Sequence, residues 1–260
     1  SEGYSKALSV LGAFTVKGST DVWLETVNRL YARKGAEAHQ LAILAGFASP
    51  LVELTKTNLW HGIPVAMTGG TSAGKSTVCD IMSTIYGKKD ALFMSGGSQG
   101  GTLNAVMQIP GITCNLPIAF DDMSERPAEE VRNMFYQLPQ GKPKAGLDTT
   151  RNFRVSELYW NMLPVITSNV DFYTLLAKFG GNVKDATQVR VFEVRMKDGL
   201  AAELWPDINI KSDVDPIMED NHGAVGREWV QFIIKNRAKI TEQLRKAQAK
   251  FTPQNSGMES

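Results

Sequence analysis

Ile63-Pro64-Val65-Ala66-Met67-Thr68-Gly69-Gly70-Thr71-Ser72-Ala73-Gly74-Lys75-Ser76-Thr77 is an apolar run entering a glycine loop of the form G-x-x-x-x-G-K-[ST]. A helical pattern, Val78 to Tyr86, leaves it. Strand, loop and helix in that order form an anion cradle: successive backbone N–H groups curl around phosphate oxygens, and the positive end of the helix points at them. Gly69, Gly70, Thr71, Ser72, Ala73, Gly74, Lys75, Ser76 and Thr77 are therefore the expected binding residues for a nucleoside triphosphate, with ATP and Mg²⁺ as the expected cofactors. In such a loop the lysine, here Lys75, bridges β- and γ-phosphate oxygens, and the Ser76 hydroxyl holds the metal. Gly74 is expected to be glycine so that no Cβ obstructs the backbone's approach to the phosphate. At average residue usage the pattern arises by chance in roughly 1 chain in 100 of this length, so the motif carries real weight.

Further along, apolar runs end in polar tips. Leu116-Pro117-Ile118-Ala119-Phe120-Asp121-Asp122 delivers two carboxylates at the end of a buried strand, which suits a metal beside a triphosphate. Asp121 is the expected metal residue, acting through water, and Asp122 the group that polarises the attacking water. Glu125 competes for the second role because its side chain is one methylene longer. Leu163-Pro164-Val165-Ile166-Thr167-Ser168-Asn169 ends in an amide. In ATPases with an extra strand between phosphate loop and acidic strand, an amide at this point senses the γ-phosphate, and that is the expected role of Asn169. In Gln188-Val189-Arg190-Val191-Phe192-Glu193-Val194-Arg195, Arg190 opens the last strand. Its guanidinium is expected to reach a neighbouring subunit's γ-phosphate, with Arg195 as the competing choice. Gln140-Gly141-Lys142-Pro143-Lys144-Ala145-Gly146 is basic and rich in turn residues, and Phe153-Arg154-Val155 follows, which predicts a hairpin. Lys142, Lys144, Arg151 and Arg154 are the candidate contacts to DNA phosphates.

Taken together these stretches resemble an uncharacterised P-loop ATPase family of phage and plasmid replication proteins, often fused to primase modules. The likeness runs over about residues 38–235. It rests on His39 to Leu51, on the phosphate loop, and on Leu138 to Lys144. It also rests on Arg154 to Trp160, on Gln188-Val189-Arg190-Val191, and on His222-Gly223-Ala224-Val225-Gly226-Arg227. The wider kinship is similar to superfamily 3 helicases and AAA+ ATPases. The resemblance implies a homo-hexameric ring acting on single-stranded DNA, with a hairpin reaching into the pore and a primase or polymerase module in the same or a partner chain. One departure stands out: the family's acidic strand usually ends Asp-Glu, whereas Asp121-Asp122 stands here, a pair that some viral superfamily 3 helicases also carry.

The expected fold is α/β, a P-loop NTPase of the AAA+ and superfamily 3 type with a mainly parallel five-stranded sheet. Strands are expected at Ile63–Thr68, Ala91–Ser95, Leu116–Phe120, Leu163–Thr167 and Val189–Val194. Helical periodicity after Ser19 and from about His39 to Leu54 predicts an N-terminal helical collar over 1–60. The ATPase core then occupies 61–212, a helical segment 213–251 including one long helix from Ala224 to Lys250, and a disordered tail 252–260.

Composition narrows the classes. Net charge is +1, so there is no global basic field, and any nucleic-acid contact must come from a local patch. Cys79 and Cys114 lack metal-ligand spacing, which argues against structural zinc and for reduced packing thiols. No run approaches the roughly 20 apolar residues of a membrane span, so the expected location is cytoplasmic, in the bacterial host if the gene is a phage's. Two functional classes follow: an ATP-driven helicase or translocase, and an ATP-gated loader that recruits a primase or polymerase without unwinding. A small-molecule kinase fits less well, because such enzymes carry an arginine-rich lid.

Overall fold

The computed structural model describes residues 11–55, 61–89, 92–95, 103–142, 146–147, 153–154, 158–177 and 191–251. In chain order the elements are α1 (Thr20–Tyr31), α2 (Glu37–Ala48), a 3₁₀ turn (Ser49–Leu54), β1 (Val65–Thr68), α3 (Lys75–Ser83), β2 (Phe93–Ser95), α4 (Leu103–Val106), α5 (Ile109–Thr113) and β3 (Ala119–Asp121). They continue with α6 (Ala128–Gln137), β4 (Gly146–Leu147), β5 (Phe153–Arg154), β6 (Val165–Ser168), α7 (Phe172–Ala177), β7 (Phe192–Arg195), α8 (Leu200–Leu204), α9 (Asp215–Asp220), α10 (Ala224–Lys235) and α11 (Arg237–Phe251).

Five strands form one parallel sheet in the order β2-β3-β6-β1-β7. Every residue of β1 and β6 is buried, as a parallel sheet covered on both faces requires. Because β6 lies between β1 and β3, the phosphate-loop strand and the acidic strand are one strand apart, with their carboxyl ends on the same edge. Prolines set where two of these strands begin. Pro64 and Pro164 have no N–H to give the ladder, so pairing starts at Val65 and Val165, two residues later than the apolar runs suggest. Both prolines still accept: Val65 N–H donates to Pro164 O and Phe192 N–H to Pro64 O, each at 2.8 Å.

The collar is part of the core. Ser19 caps α1 by accepting from the Asp21 amide, and Trp23, Val27, Leu30 and Tyr31 line its buried face. These residues belong to the same buried cluster as Met67, Ile85, Phe120 and Ile166 of the sheet and the segments packed on it. The Trp23 indole donates to Thr84 Oγ1 at 2.8 Å, a buried bond across that boundary. On α2 the small residues allow close approach to α3: a Cβ on Gly46 would lie 2.7 Å from the side chains of Ile85 and Met82. At the far end of the chain, Lys17 and His222 exchange two backbone hydrogen bonds.

Two helices differ from the periodic reading. The second collar helix stops at Ala48, and the chain tightens to a 3₁₀ turn holding Pro50. The long C-terminal helix is two, α10 and α11, broken at Asn236, whose amide nitrogen bonds back to Phe232 O. The expected hairpin is present as β4 and β5, antiparallel, with Gly146 opposite Arg154 and Leu147 opposite Phe153. Both cysteines are free thiols. Among the described residues no helix is long and apolar enough to cross a membrane.

Candidate nucleotide site

A cleft of about 290 Å³ opens at the carboxyl ends of β1, β3 and β6. It is lined by residues 71–77 of the glycine loop and the start of α3, by Asp121 and Asp122, and by Thr167 and Asn169. α3 begins at Lys75, directly after the loop, so its unpaired N-terminal amides point into the cleft. That start is three residues earlier than periodicity indicates, because Lys75, Ser76 and Thr77 carry no apolar signal.

The loop's own contacts explain its glycines. Gly74 has φ +86°, and a Cβ there would come within 2.8 Å of His39 Nε2 and of the Trp205 ring. Glycine is thus required by what lies beneath the loop, a different reason from the phosphate approach expected. Gly69 and Gly70 do not line the cleft themselves. Cβ atoms on them would strike Met196 O at 2.3 Å and the Asp198 carboxylate at 2.4 Å. Asp198 accepts the Gly70 N–H at 2.5 Å, while Gly199 and Ala201 donate to the Thr71 and Ser72 carbonyls. The segment after β7 therefore fastens the back of the loop.

Lys75 curls back onto the Gly69 and Gly70 carbonyls at 2.8 and 2.6 Å. Burial lowers the pKa of its ammonium, opposed by the charges of Asp121, Asp122 and Asp198. Ser76 Oγ donates to Asp121 Oδ1 at 2.9 Å, and Thr167 Oγ1 donates to the same oxygen at 2.6 Å. Thr167 Oγ1 also accepts the Asp122 N–H at 2.9 Å, so the tip of β6 holds both acids. Asp122 adopts a left-handed backbone, φ +50°, which the short polar aspartate tolerates. Its carboxylate accepts from Ser124 Oγ and from Asn169 Nδ2, the latter at 3.3 Å to both oxygens.

The donor set fits Mg²⁺. Among the described residues there is no cluster of three or more histidine, cysteine or acidic side chains. An all-protein cage is not what this ion uses. It keeps several waters and takes one or two hard oxygen ligands plus substrate phosphates; Ser76 would supply such an oxygen directly, and Asp121, hydrogen-bonded to it, would act through one of the waters.

Glu125 is exposed on a 3₁₀ turn and does not line the cleft, whereas Asp122 does. Arg195 is exposed at the tip of β7, level with Thr68 where the phosphate loop begins. Lys142 is exposed just after a turn at Gly141. Arg154 sits on β5. Lys144, Arg151 and Arg190 lie outside the described residues. Thr167, His39, Trp205 and Asp198 were not anticipated. Only Thr167 had a local signal, since it sits in the polar tip that pointed to Asn169.

A phosphate loop on an interior strand of a parallel sheet, with paired acids on the strand beyond its neighbour, defines a P-loop NTPase fold. More particularly, the chain belongs to the family described as domain of unknown function DUF927, whose profile matches residues 6–154. Among solved structures it is similar to the one described as "SCCmec type IV Cch - active helicase", with 21% identity and a TM-score of 0.62 over 93% of this chain and 44% of that one. This chain thus spans less than half of that protein's length. A JCV helicase is 11% identical over 86% of this chain and 67% of that one, at a TM-score of 0.37, too slight a likeness to carry weight. No curated protein matches the sequence.

Proposed function

We propose that this chain is the ATP-hydrolysing motor domain of a DNA helicase or translocase in a phage or plasmid replication protein. It works as a ring, hydrolysing ATP between subunits to move along single-stranded DNA. The observation that supports this best is the convergence of Lys75, Ser76, Asp121, Asp122 and Asn169 from three parallel strands into one cleft.

Each residue then has a task. The amides at the start of α3 receive the phosphates, and Lys75 exchanges the Gly69 and Gly70 carbonyls for β- and γ-phosphate oxygens. Ser76 would hold Mg²⁺ directly and Asp121 through a water, and the ion would supply positive charge beside the phosphates. Asp122 accepts a hydrogen bond from the attacking water, and Asn169, whose amide bonds to the Asp122 carboxylate, senses the γ-phosphate and helps place that water. Arg190 of a neighbouring copy contributes positive charge at the γ-phosphate, an effect of about 10³–10⁵ in rate in related chemistry. Lys142, Lys144, Arg151 and Arg154, around the hairpin, contact the DNA backbone.

The test is ATP turnover with and without single-stranded DNA at low salt. Stimulation by DNA is expected, together with loss of turnover in Lys75→Ala. DNA that neither binds nor stimulates overturns the motor reading. Turnover and ring formation without strand displacement favour the loader instead.

A further inference from the structure

His39 belongs to the collar, yet its ring lies directly beneath the phosphate loop. It is fully buried on α2, and its Nε2 is 2.9 Å from the carbonyl oxygen of Ala73. A carbonyl only accepts, so Nε2 carries the proton. Nδ1 is buried without a hydrogen-bond partner, which leaves the neutral ring with its proton on Nε2. Burial lowers the ring's pKa, partly offset by the Ala73 bond, and this keeps the imidazole neutral. Tyr31 stacks on the ring at 5.4 Å between centroids and an interplanar angle of 17°, and Trp205 meets it edge-on at 5.4 Å. Trp205 is itself fixed by an indole bond to Leu30 O at 2.9 Å. The imidazole is therefore clamped by aromatics from α1 and from the segment after α8.

In a planar trans peptide the C=O and the next N–H point in opposite directions. An Ala73 carbonyl drawn down onto His39 turns the Gly74 N–H the other way, towards the cleft. No described backbone carbonyl accepts from that N–H. A hydrogen bond on the carbonyl also polarises the peptide and strengthens its N–H as a donor.

We propose that His39 is a positioning residue of the phosphate cradle, aiming the Gly74 N–H at the nucleotide's phosphates through its hydrogen bond to Ala73. The inference rests on the reading of the cleft as a triphosphate site. It makes the collar part of the binding machinery and gives α2 a direct grip on the loop.

Three measurements on the full chain test it. A fluorescent ATP analogue is titrated with Mg²⁺ into the unchanged chain, His39→Phe and His39→Gln, and each is melted without nucleotide. Phenylalanine keeps the ring stack but removes the donor, whereas glutamine places an amide N–H near the position of Nε2. H39F is expected to bind about 10- to 100-fold more weakly, the range for a group that orients a ligand's direct partner, and H39Q to stay within about threefold. Melting points should remain close to the parent's. Equal affinity in H39F, or loss in a folded H39Q as large as in H39F, overturns the proposal alone. An unchanged chain that binds no nucleotide overturns the triphosphate reading and this inference with it. Independently of any variant, imidazole ¹⁵N spectra of the unchanged chain should show a neutral ring protonated on Nε2 at pH 7. A proton on Nδ1 overturns the proposal.

Discussion

Asp122 and Glu125 are three residues apart, but only one of them faces the cleft. Asp122 is turned inward by its left-handed backbone and held by Thr167 and Asn169, while Glu125 is exposed beyond the 3₁₀ turn. Side-chain length favoured glutamate, and backbone conformation favours aspartate. A general base has to lie within hydrogen-bond reach of the water it activates, so location outweighs the extra methylene. Asp122→Asn should lower turnover about 100-fold or more, with nucleotide affinity within about threefold, while Glu125→Ala leaves turnover nearly unchanged. Steady-state rates combined with equilibrium nucleotide titrations check this, and the reverse pattern would move the role to Glu125. Much of the cleft was legible at this scale. The glycine loop is a contiguous motif, and the acids and Asn169 each end an apolar run. His39 and Trp205 were not, because their meeting at Gly74 joins positions 34 or more residues apart and leaves no local pattern.

At the scale of elements, α3 carries both the loop's lysine and a half-buried acid whose carboxyl is pushed above its usual range. The Asp80 side chain is only 19% exposed and pairs with Lys89 at 2.6 Å. Burial pushes its carboxyl up to about 6, against the pull of Lys89 and with help from the charges of Asp215 and Asp121. An acid whose folded pKa exceeds its ordinary 3.8 takes up a proton on folding between the two values. The stability it contributes is thus present at low pH and lost as pH rises through about 6. Between pH 7 and pH 5 the parent should gain about 1 kcal/mol relative to Asp80→Asn, after allowing for partial solvent screening. Urea unfolding of both proteins at the two pH values measures the difference. Parallel pH dependences would show that Asp80 titrates normally. Element types were readable from periodicity, but their limits depended on features periodicity ignores. Pro64 and Pro164 delay two strands, Pro50 tightens the end of α2, and Asn236 divides the last helix.

For the whole molecule, alternating strand and helix signals gave a parallel sheet, but they do not contain its strand order. The insertion of β6 between β1 and β3, and the merging of the collar into the core, depend on long-range packing. The order bears on the arginines. β7 is an edge strand whose Phe192 is 55% exposed and level with Val65, and Arg195 stands at its tip beside the phosphate loop of its own subunit. Arg195 thus stands on the site end of its own chain, and Arg190, outside the described residues, is the arginine assigned to the neighbour. Mixing inactive subunits separates the two assignments. In an equal mixture of Lys75→Ala and Arg190→Ala, a site works only where a subunit keeping Lys75 meets a neighbour keeping Arg190. Random assembly makes that half of one half, so about a quarter of the parent's turnover should return, although each variant alone is inactive. An arginine acting within its own subunit gives no recovery at any ratio, because every chain then lacks one of the two groups its own site needs. Turnover measured across mixing ratios therefore decides whether the γ-phosphate is served from outside the subunit that binds it.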